Sequence, residues 1–371
     1  MKILLTGATG YIGKRLLPAL VEQGHTIVCC VRDTKRFNPP PSLKEYIEVI
    51  QVDLLDKPSL EKIPKDIDGA YYLVHSMSSS GSYLEIEQES AINFRRAVNG
   101  TSVKHVIYLS GIVNESELSE HLTSRLNVEN ILSEGSYDFT TLRAGIIIGS
   151  GSSSFEIIRN LAEKLPIMVA PQWLNTKCQP IGITDVILFL TRTLFHPQTL
   201  NKNFDIGGSD ILTYKEMIIG FSDIRKLHRK IWTIPIMTTR LSSYWLYFVT
   251  STSYQLAVNL VKSMKLEVIC RNNDLSEVLN IDPISYEKSI EKAFKKVANN
   301  DIISSWKDAN VSSGFKPRIS DFVRVPLPSV VLLISGNKLT ATAKNPSTKF
   351  GVLAARLGGI TEPGCGSFAD I

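Results

Sequence analysis

Residues 2–13 read KILLTGATGYIG. An apolar, strand-like run stops at Thr6, glycines follow at positions 7, 10 and 13, and apolar spacing resumes into a stretch that reads as a helix through Leu20. A loop that only turns the chain needs one glycine. Three glycines between a strand and a helix do three jobs: the first permits a tight turn, the second lets backbone approach a pyrophosphate, and the third lets the helix pack on the strand. Free N–H groups and the positive end of the helix dipole then face the phosphates. Gly7, Thr9, Gly10, Tyr11, Ile12 and Gly13 are therefore read as a dinucleotide-binding loop, with a ligand-free βα turn as the alternative.

Outward from this loop the first half of the chain alternates short β-rich runs with helical patterns. HTIVCCV, YIEVIQVD, AYYLVHS, KHVIYLS and DFTTLRAGII follow in order. Such alternation indicates βαβ units, and continuous apolar runs such as Val106 to Leu109 indicate strands buried on both faces. The expected fold is α/β, a Rossmann-type doubly wound parallel sheet with a smaller, mostly helical C-terminal region. Residues 1–220 form the nucleotide-binding domain in this reading and residues 221–328 the helical region. Residues 329–371, rich in breakers, read as a tail.

The whole chain of 371 residues is 43% hydrophobic and 21% charged, with a net charge of +5, as in an ordinary globular enzyme. Lysine and arginine form no block on one element, so no nucleic-acid partner is expected. Five cysteines show no CxxC or Cys/His ligand spacing, which points to reduced thiols, no metal and a cytoplasmic setting. No signal peptide and no integral membrane segment are expected.

The end of the second strand, VRDTKR at 31–36, should meet the adenosine ribose. An acidic residue alone would bond the ribose 2′-OH. Here Arg32 precedes Asp33 and Arg36 follows, and guanidinium forks suit a 2′-phosphate. NADP(H) is the expected cofactor, with NAD(H) the alternative; a solvated charged loop is the other reading. Asp53, with Leu54 beside it, is placed to accept from the adenine amino group, or else is a turn or capping residue.

TGATGYIG, VRD, VDLLD, YLVHS, VIYLSG and LRAGIIIGSG, in that order, resemble the extended and atypical branch of the short-chain dehydrogenase/reductase superfamily over roughly Met1 to Met217. The chain is most similar to bacterial NAD(P)H-binding proteins that look like nucleoside-diphosphate-sugar epimerases and to nitrogen-metabolite-repressor-like proteins. The resemblance implies a serine at the end of the fifth strand, matched by Ser110, and a Tyr-x-x-x-Lys pair on the next helix. That helix reads SEHLTSRLNVENIL, so His121 and Arg125 stand where tyrosine and lysine are expected. The i, i+4 spacing that puts both on one face survives. His121 can act as a general acid, and Arg125 can bond the ribose hydroxyls. An exposed His and Arg without a chemical role is the alternative. The resemblance also implies that His75 and Ser76 pass the nicotinamide ribose, that Asn93 orders its helix or a water (a surface amide being the alternative), and that Arg143 stands in an Arg-Pro motif whose proline is Ala144 here, where it meets substrate or positions its loop. Gly7, Arg32, His75, Ser110 and Arg143 all fall near the carboxyl ends of strands, where parallel sheets bind ligands.

The stretch at 149–174 that should cover the site carries Phe155, Ile157, Ile158, Leu161, Met168, Val169 and Trp173 rather than the basic residues a sugar diphosphate needs. Most of these read as helix core; whatever faces the pocket is apolar. Aromatic residues from Tyr244 to Phe248 read as a buried helix or a lid. The further C-terminal domain carried by similar proteins is absent or truncated in this reading, and a homodimer would cover the surface left open. The function expected is an NADP(H)-dependent oxidoreductase acting on a small apolar carbonyl or unsaturated substrate. An NADP(H)-binding sensor or scaffold without turnover is the alternative.

Overall fold

Lys2–Thr6 (β1) is an inner strand, next to the central one, of a sheet built with Thr26–Val31 (β2), Ile47–Gln51 (β3), Gly69–Tyr72 (β4), His105–Gly111 (β5), Asp138–Ala144 (β6) and Lys202–Ile206 (β11). These are seen in a computed structural model that describes residues 1–75, 83–113, 120–234, 258, 261–271, 274–298, 331–335 and 338–342, with the backbone alone at 36, 83, 120, 121, 297, 298 and in the last two segments. The strand order is β11-β6-β5-β4-β1-β2-β3, and every pairing is parallel. The order reverses between β1 and β4, so the ligand crevice of a doubly wound sheet belongs there.

Alternation along the strands sorts the core into two layers. Ile3, Leu5, Ile27, Cys29, Ile107 and Leu109 point to one face, where they meet Gly13–Glu22 (α1) and Ile183–Thr193 (α6). Leu4, Val28, Ala70, Tyr72, Val106 and Tyr108 point to the other, against Tyr83–Asn99 (α3) and Glu120–Ser133 (α4), while Lys57–Leu60 (α2) is a single turn beside α3. The doubly wound reading of the sequence is what the sheet shows.

A third cluster lies beyond the end of β6. Ile147–Ile148 (β7) pairs with Ile181–Gly182 (β10), Ile167–Pro171 (β8) with Lys230–Ile234 (β13), and Lys177–Cys178 (β9) with Leu212–Thr213 (β12). Ser153–Lys164 (α5) and Tyr214–Ile224 (α7) pack together over this layer, joined by Tyr286–Ala298 (α9), while Leu275–Val278 (α8) packs beside β11 in the first core layer. Phe155, Phe221 and Phe294 stack edge to face at its centre, with ring centroids 5.2–5.9 Å apart. α7 starts as its sequence says: Thr213 and Glu216 form a reciprocal capping box. β13 is a strand inside the region read as mostly helical, because KIWTI finds a parallel partner in β8.

The chain divides into two compact units, Met1–Asp321 and Phe322–Ile371. In the second, Val331–Ser335 (β14) and Lys338–Thr342 (β15) form an antiparallel pair within the stretch read as a tail. Among the described residues no helix is long and apolar enough to cross a membrane. The aromatic stretch at 244–248 lies outside the described residues.

Candidate active site at the switch point

The glycine loop sits at the reversal of strand order. Gly7 has φ of +72°, and a Cβ there would stand 2.5 Å from the Leu73 carbonyl oxygen just past β4. A Cβ on Gly13 would stand 2.9 Å from the Ala8 Cα. Both positions need glycine so that β1, the loop and α1 can close on β4. Intrahelical bonding begins with Lys14 N–H to the Gly10 carbonyl at 3.1 Å. The amides before it precede the helical ladder, no side chain caps this end, and no acidic residue stands in the first turn. Such an end attracts an anion, so these residues fit a dinucleotide pyrophosphate.

Arg15 fastens the loop from behind, a feature the sequence reading missed. It is 7% exposed, and its guanidinium donates to the Tyr11 carbonyl at 3.1 Å and to the Ser150 carbonyl at 2.7 Å. The same group lies 3.9 Å over the Tyr11 ring. Burial pushes the Tyr11 phenol up to about 12 against the pull of Arg15, so the phenol stays protonated at neutral pH. The available signal was the i, i+4 spacing of Tyr11 and Arg15 on the first helical turn.

At the adenosine end Arg32 is exposed after β2, and its guanidinium has no ion-pair partner among the described residues. Asp33 caps the short turn at 34–36, accepting from the Lys35 amide at 2.9 Å. The Arg36 side chain lies outside the described residues. Asp53 accepts from the Leu55 amide at 3.0 Å, a turn role that occupies one carboxylate oxygen. Leu54 is buried, and its carbonyl accepts from the Asn93 side chain at 2.8 Å. Asn93 is thus a buried tie between α3 and the end of β3 rather than a surface amide.

On the other side of the switch point, His75 follows β4. Its Nε2 lies 3.1 Å from the Leu109 carbonyl, which only accepts, so Nε2 carries the proton. Ser76 lies outside the described residues, as does the side chain of His121, whose backbone belongs to the first turn of α4. Ser110 and Tyr108 are both buried on one face of β5, with the Ser110 hydroxyl beside the Tyr108 phenol. Burial pushes the Tyr108 phenol up to about 12, opposed by the nearby Arg125 guanidinium. Arg125 lies one turn along α4 from position 121, with its aliphatic stem over Gly111 at the end of β5. Arg143 does not reach for a ligand: it holds Glu129 of α4 in a two-point ion pair at 2.6 and 3.1 Å. Ser124 of α4 donates to the buried Glu87 of α3. These ties set the angle of the helix that carries positions 121 and 125.

A cavity of about 370 Å³ opens between the sheet and the third cluster. Tyr11 and Ile12 from the glycine loop, Gly111 and Ile112 after β5, and Leu122 and Arg125 of α4 line its sheet side. Ile157, Ile158, Tyr214, Met217, Met264 and Val268 line the other. Of the apolar stretch expected over the mouth, Ile157 and Ile158 reach the cavity, Phe155, Leu161 and Met168 are core, and Val169 is 46% exposed.

Residues 1–237 match the family described as NmrA-like. The chain belongs to the NmrA-like family. Its relatives include a photosystem II assembly factor Ycf39 of Trieres chinensis, 25% identical over 249 residues that make up 66% of this chain and 75% of that protein. A chloroplastic divinyl chlorophyllide a 8-vinyl-reductase of Zea mays is 23% identical over 56% of this chain and 54% of its own, so only about half of that reductase is spanned. Among solved structures, the triphenylmethane reductase of Citrobacter sp. complexed with NADP(H) superposes with a TM-score of 0.63 at 15% identity, covering 79% of this chain and all of that one. A nucleoside-diphosphate-sugar epimerase of Staphylococcus aureus gives 0.63 at 16%, covering 78% of this chain and 100% of that one. At such identities the superpositions show the fold alone, the doubly wound parallel sheet described above. Family and neighbours agree with the atypical short-chain dehydrogenase/reductase resemblance carried by the motifs.

Proposed function

We propose that this NmrA-like chain is an NADP(H)-dependent oxidoreductase acting on a small, apolar carbonyl or unsaturated substrate. One observation carries the reading: the cavity touches the glycine loop on one side and Arg125 on another, and is otherwise mostly apolar. The nicotinamide cofactor would supply or accept the hydride.

The chain's own residues have the following roles. Gly7, Thr9, Gly10, Tyr11, Ile12 and Gly13 hold the pyrophosphate, Arg32 and Arg36 the 2′-phosphate, and Asp53 and Leu54 the adenine. Engagement of Asp33 with the Lys35 amide leaves the cation beside it to select the ribose substituent. His75 and Ser76 border the nicotinamide ribose, and Arg125 donates to its hydroxyls. Ser110, buried near the end of β5, donates to a developing oxyanion. His121 supplies the proton.

A second reading, an NADP(H)-binding sensor without turnover, is favoured by one feature: positions 121 and 125 carry His and Arg where the superfamily's chemistry uses Tyr and Lys. One experiment separates the two. NADPH is bound to the purified protein and its oxidation followed against quinones, enones and aldehydes. Oxidation with at least one class supports the enzyme, and His121→Ala then lowers turnover well beyond any change in cofactor affinity. Tight binding without oxidation by any class selects the sensor.

A further inference from the structure

The layer beyond β6 carries a face that the cavity does not use. β8 and β13 pair in parallel, with Ile167 beside Lys230 and Val169 beside Trp232. Alternation along both strands sorts their side chains. Met168, Ala170 and Ile231 turn inward and are buried in the cluster that holds α5 and α7. Ile167, Val169 and Trp232 turn outward and are 55%, 46% and 56% exposed. Seven large hydrophobic side chains are exposed among the described residues, and three of the seven stand on this one small sheet. None of the three lines the cavity, although α5, which leads directly into β8, reaches it through Ile157 and Ile158.

Positive charge gathers at the edge of the same face, in a connection rather than on one helix or strand. The turn between α7 and β13 reads RKLHRK at 225–230. It is fastened to the end of α5. The Lys230 amide donates to the Pro166 carbonyl at 3.2 Å, and the Arg229 guanidinium donates to the Ala162 and Glu163 carbonyls. Arg225 lies 3.6 Å from the Glu163 carboxylate. Lys226 and Lys230 are exposed, and Lys230 shares the outer face with Trp232. With Lys164, this turn and the end of α5 bring five cations against two carboxylates, Glu163 and Asp223. The asymmetry extends along the sequence. Residues 224–266 contain seven lysines and arginines and no aspartate or glutamate, where 36 acidic residues in 371 would place about four.

We infer that this face docks on a bilayer surface carrying anionic lipid headgroups. Tryptophan suits the boundary between headgroup and hydrocarbon, having an apolar body and one N–H donor. Ile167 and Val169 beside it enter the acyl boundary, while lysine stems lie along apolar surface and their ammonium groups reach the headgroups. Each basic side chain near an anionic leaflet strengthens binding about fivefold. A protein partner fits less well, because a stable protein interface takes about 20–30 residues a side and the exposed apolar patch here has three. Nucleic acid also fits less well, because bases stack on aromatic rings or guanidinium planes and two of these three side chains are aliphatic.

The test is sedimentation of the full chain with vesicles of phosphatidylcholine, alone or with about one lipid in three replaced by phosphatidylserine. Binding to the mixed vesicles is expected to be about tenfold or more tighter than to phosphatidylcholine, and to fall as salt rises from about 0.1 to 0.5 M. Trp232→Ser weakens it about tenfold or more, as does Lys226→Gln combined with Lys230→Gln, with the melting temperature unchanged in both. Tyr46→Ser removes an exposed aromatic just before the edge strand β3 and leaves vesicle binding as it is. Failure of the native chain to sediment with either vesicle overturns the inference, as does equal binding to both compositions. A Trp232→Ser chain that binds vesicles like the native one overturns it too. So does a clear drop in the melting temperature of that variant, which would mean that the chain itself covers Trp232. A dimer in sedimentation velocity that Trp232→Ser dissociates would assign the face to a second copy. Retention of labelled oligothymidylate by a chain that ignores vesicles would assign it to nucleic acid, and either result refutes lipid docking.

Discussion

Replacing Gly7 by alanine tests the geometry on which the site depends. Two costs add at this position. Its φ of +72° is left-handed, a conformation that costs an L side chain roughly 1–2 kcal/mol. The new Cβ would also stand 2.5 Å from the Leu73 carbonyl oxygen, where ordinary contact begins at 3.4 Å, so loop and strand end must separate by about 0.9 Å. The obstacle is backbone at the end of a central strand, and forced separations of this kind cost about 1–3 kcal/mol.

Gly24 supplies the control. It has φ of +80° just past α1, and nothing lies within 4 Å of where its Cβ would be. Gly24→Ala should therefore lose only the conformational part. In urea or thermal unfolding, Gly7→Ala is expected to exceed Gly24→Ala by about 1–3 kcal/mol, or roughly 1–5 °C in Tm for a unit of this size. Gly7→Ala should also bind NADPH about tenfold or more weakly, and Gly24→Ala should bind it like the native chain. Equal destabilisation by the two would refute the close approach of the loop to β4.

Burial holds the His105 imidazole down to about 4. The Phe195 amide donates to its Nδ1 at 3.0 Å, and its Nε2–H donates to Thr140 at 2.9 Å, so the neutral ring is the bonded form. The unfolded chain binds this proton from about pH 6.5 downward, so stability is full above 6.5 and falls by about 3 kcal/mol as the pH drops toward 4. His105→Gln should flatten that part of a stability-versus-pH curve, and an unchanged slope would contradict the assignment. Glu129→Gln leaves Arg143 without its two-point partner and should cost roughly 3 kcal/mol in urea unfolding; a cost below about 1 kcal/mol would mean the pair does not anchor α4. Arg32→Ala should weaken NADPH far more than NADH, and equal losses in calorimetry would remove its phosphate-reading role.

The sheet was legible because parallel strands buried on both faces write continuous apolar runs, and helices between them write a different period. β1 to β6 all fall on runs visible in the sequence. The glycine loop was legible for the same local reason: strand, loop and helix are contiguous, so spacing alone specifies their geometry. What stayed hidden was carried by side chains brought together from distant positions. Arg15 reads as a surface residue of an amphipathic helix until Ser150, 135 residues away, supplies the carbonyl that buries it. Arg143 reads as a strand-end residue that either meets substrate or positions its loop, and Glu129, 14 residues away, is the partner that its guanidinium takes. Asp53 reads equally as an adenine ligand or a turn residue, and Asn93 as an ordering or a surface amide; the bond from the Asn93 side chain to the Leu54 carbonyl makes the second a buried tie. The cavity was legible in kind but not in membership: the apolar stretch at 155–173 divides between wall, core and surface according to how α5 and β8 pack, and pattern alone does not order those three.

The central claim is that the amides at the start of α1 hold a nicotinamide dinucleotide. Calorimetric titration of the purified chain with NADPH and with NADH measures it directly. Saturable heat with NADPH, weaker with NADH and lost in Gly13→Ala, is the expected result. Absence of heat with both coenzymes from the folded native protein would contradict the claim and the function built on it.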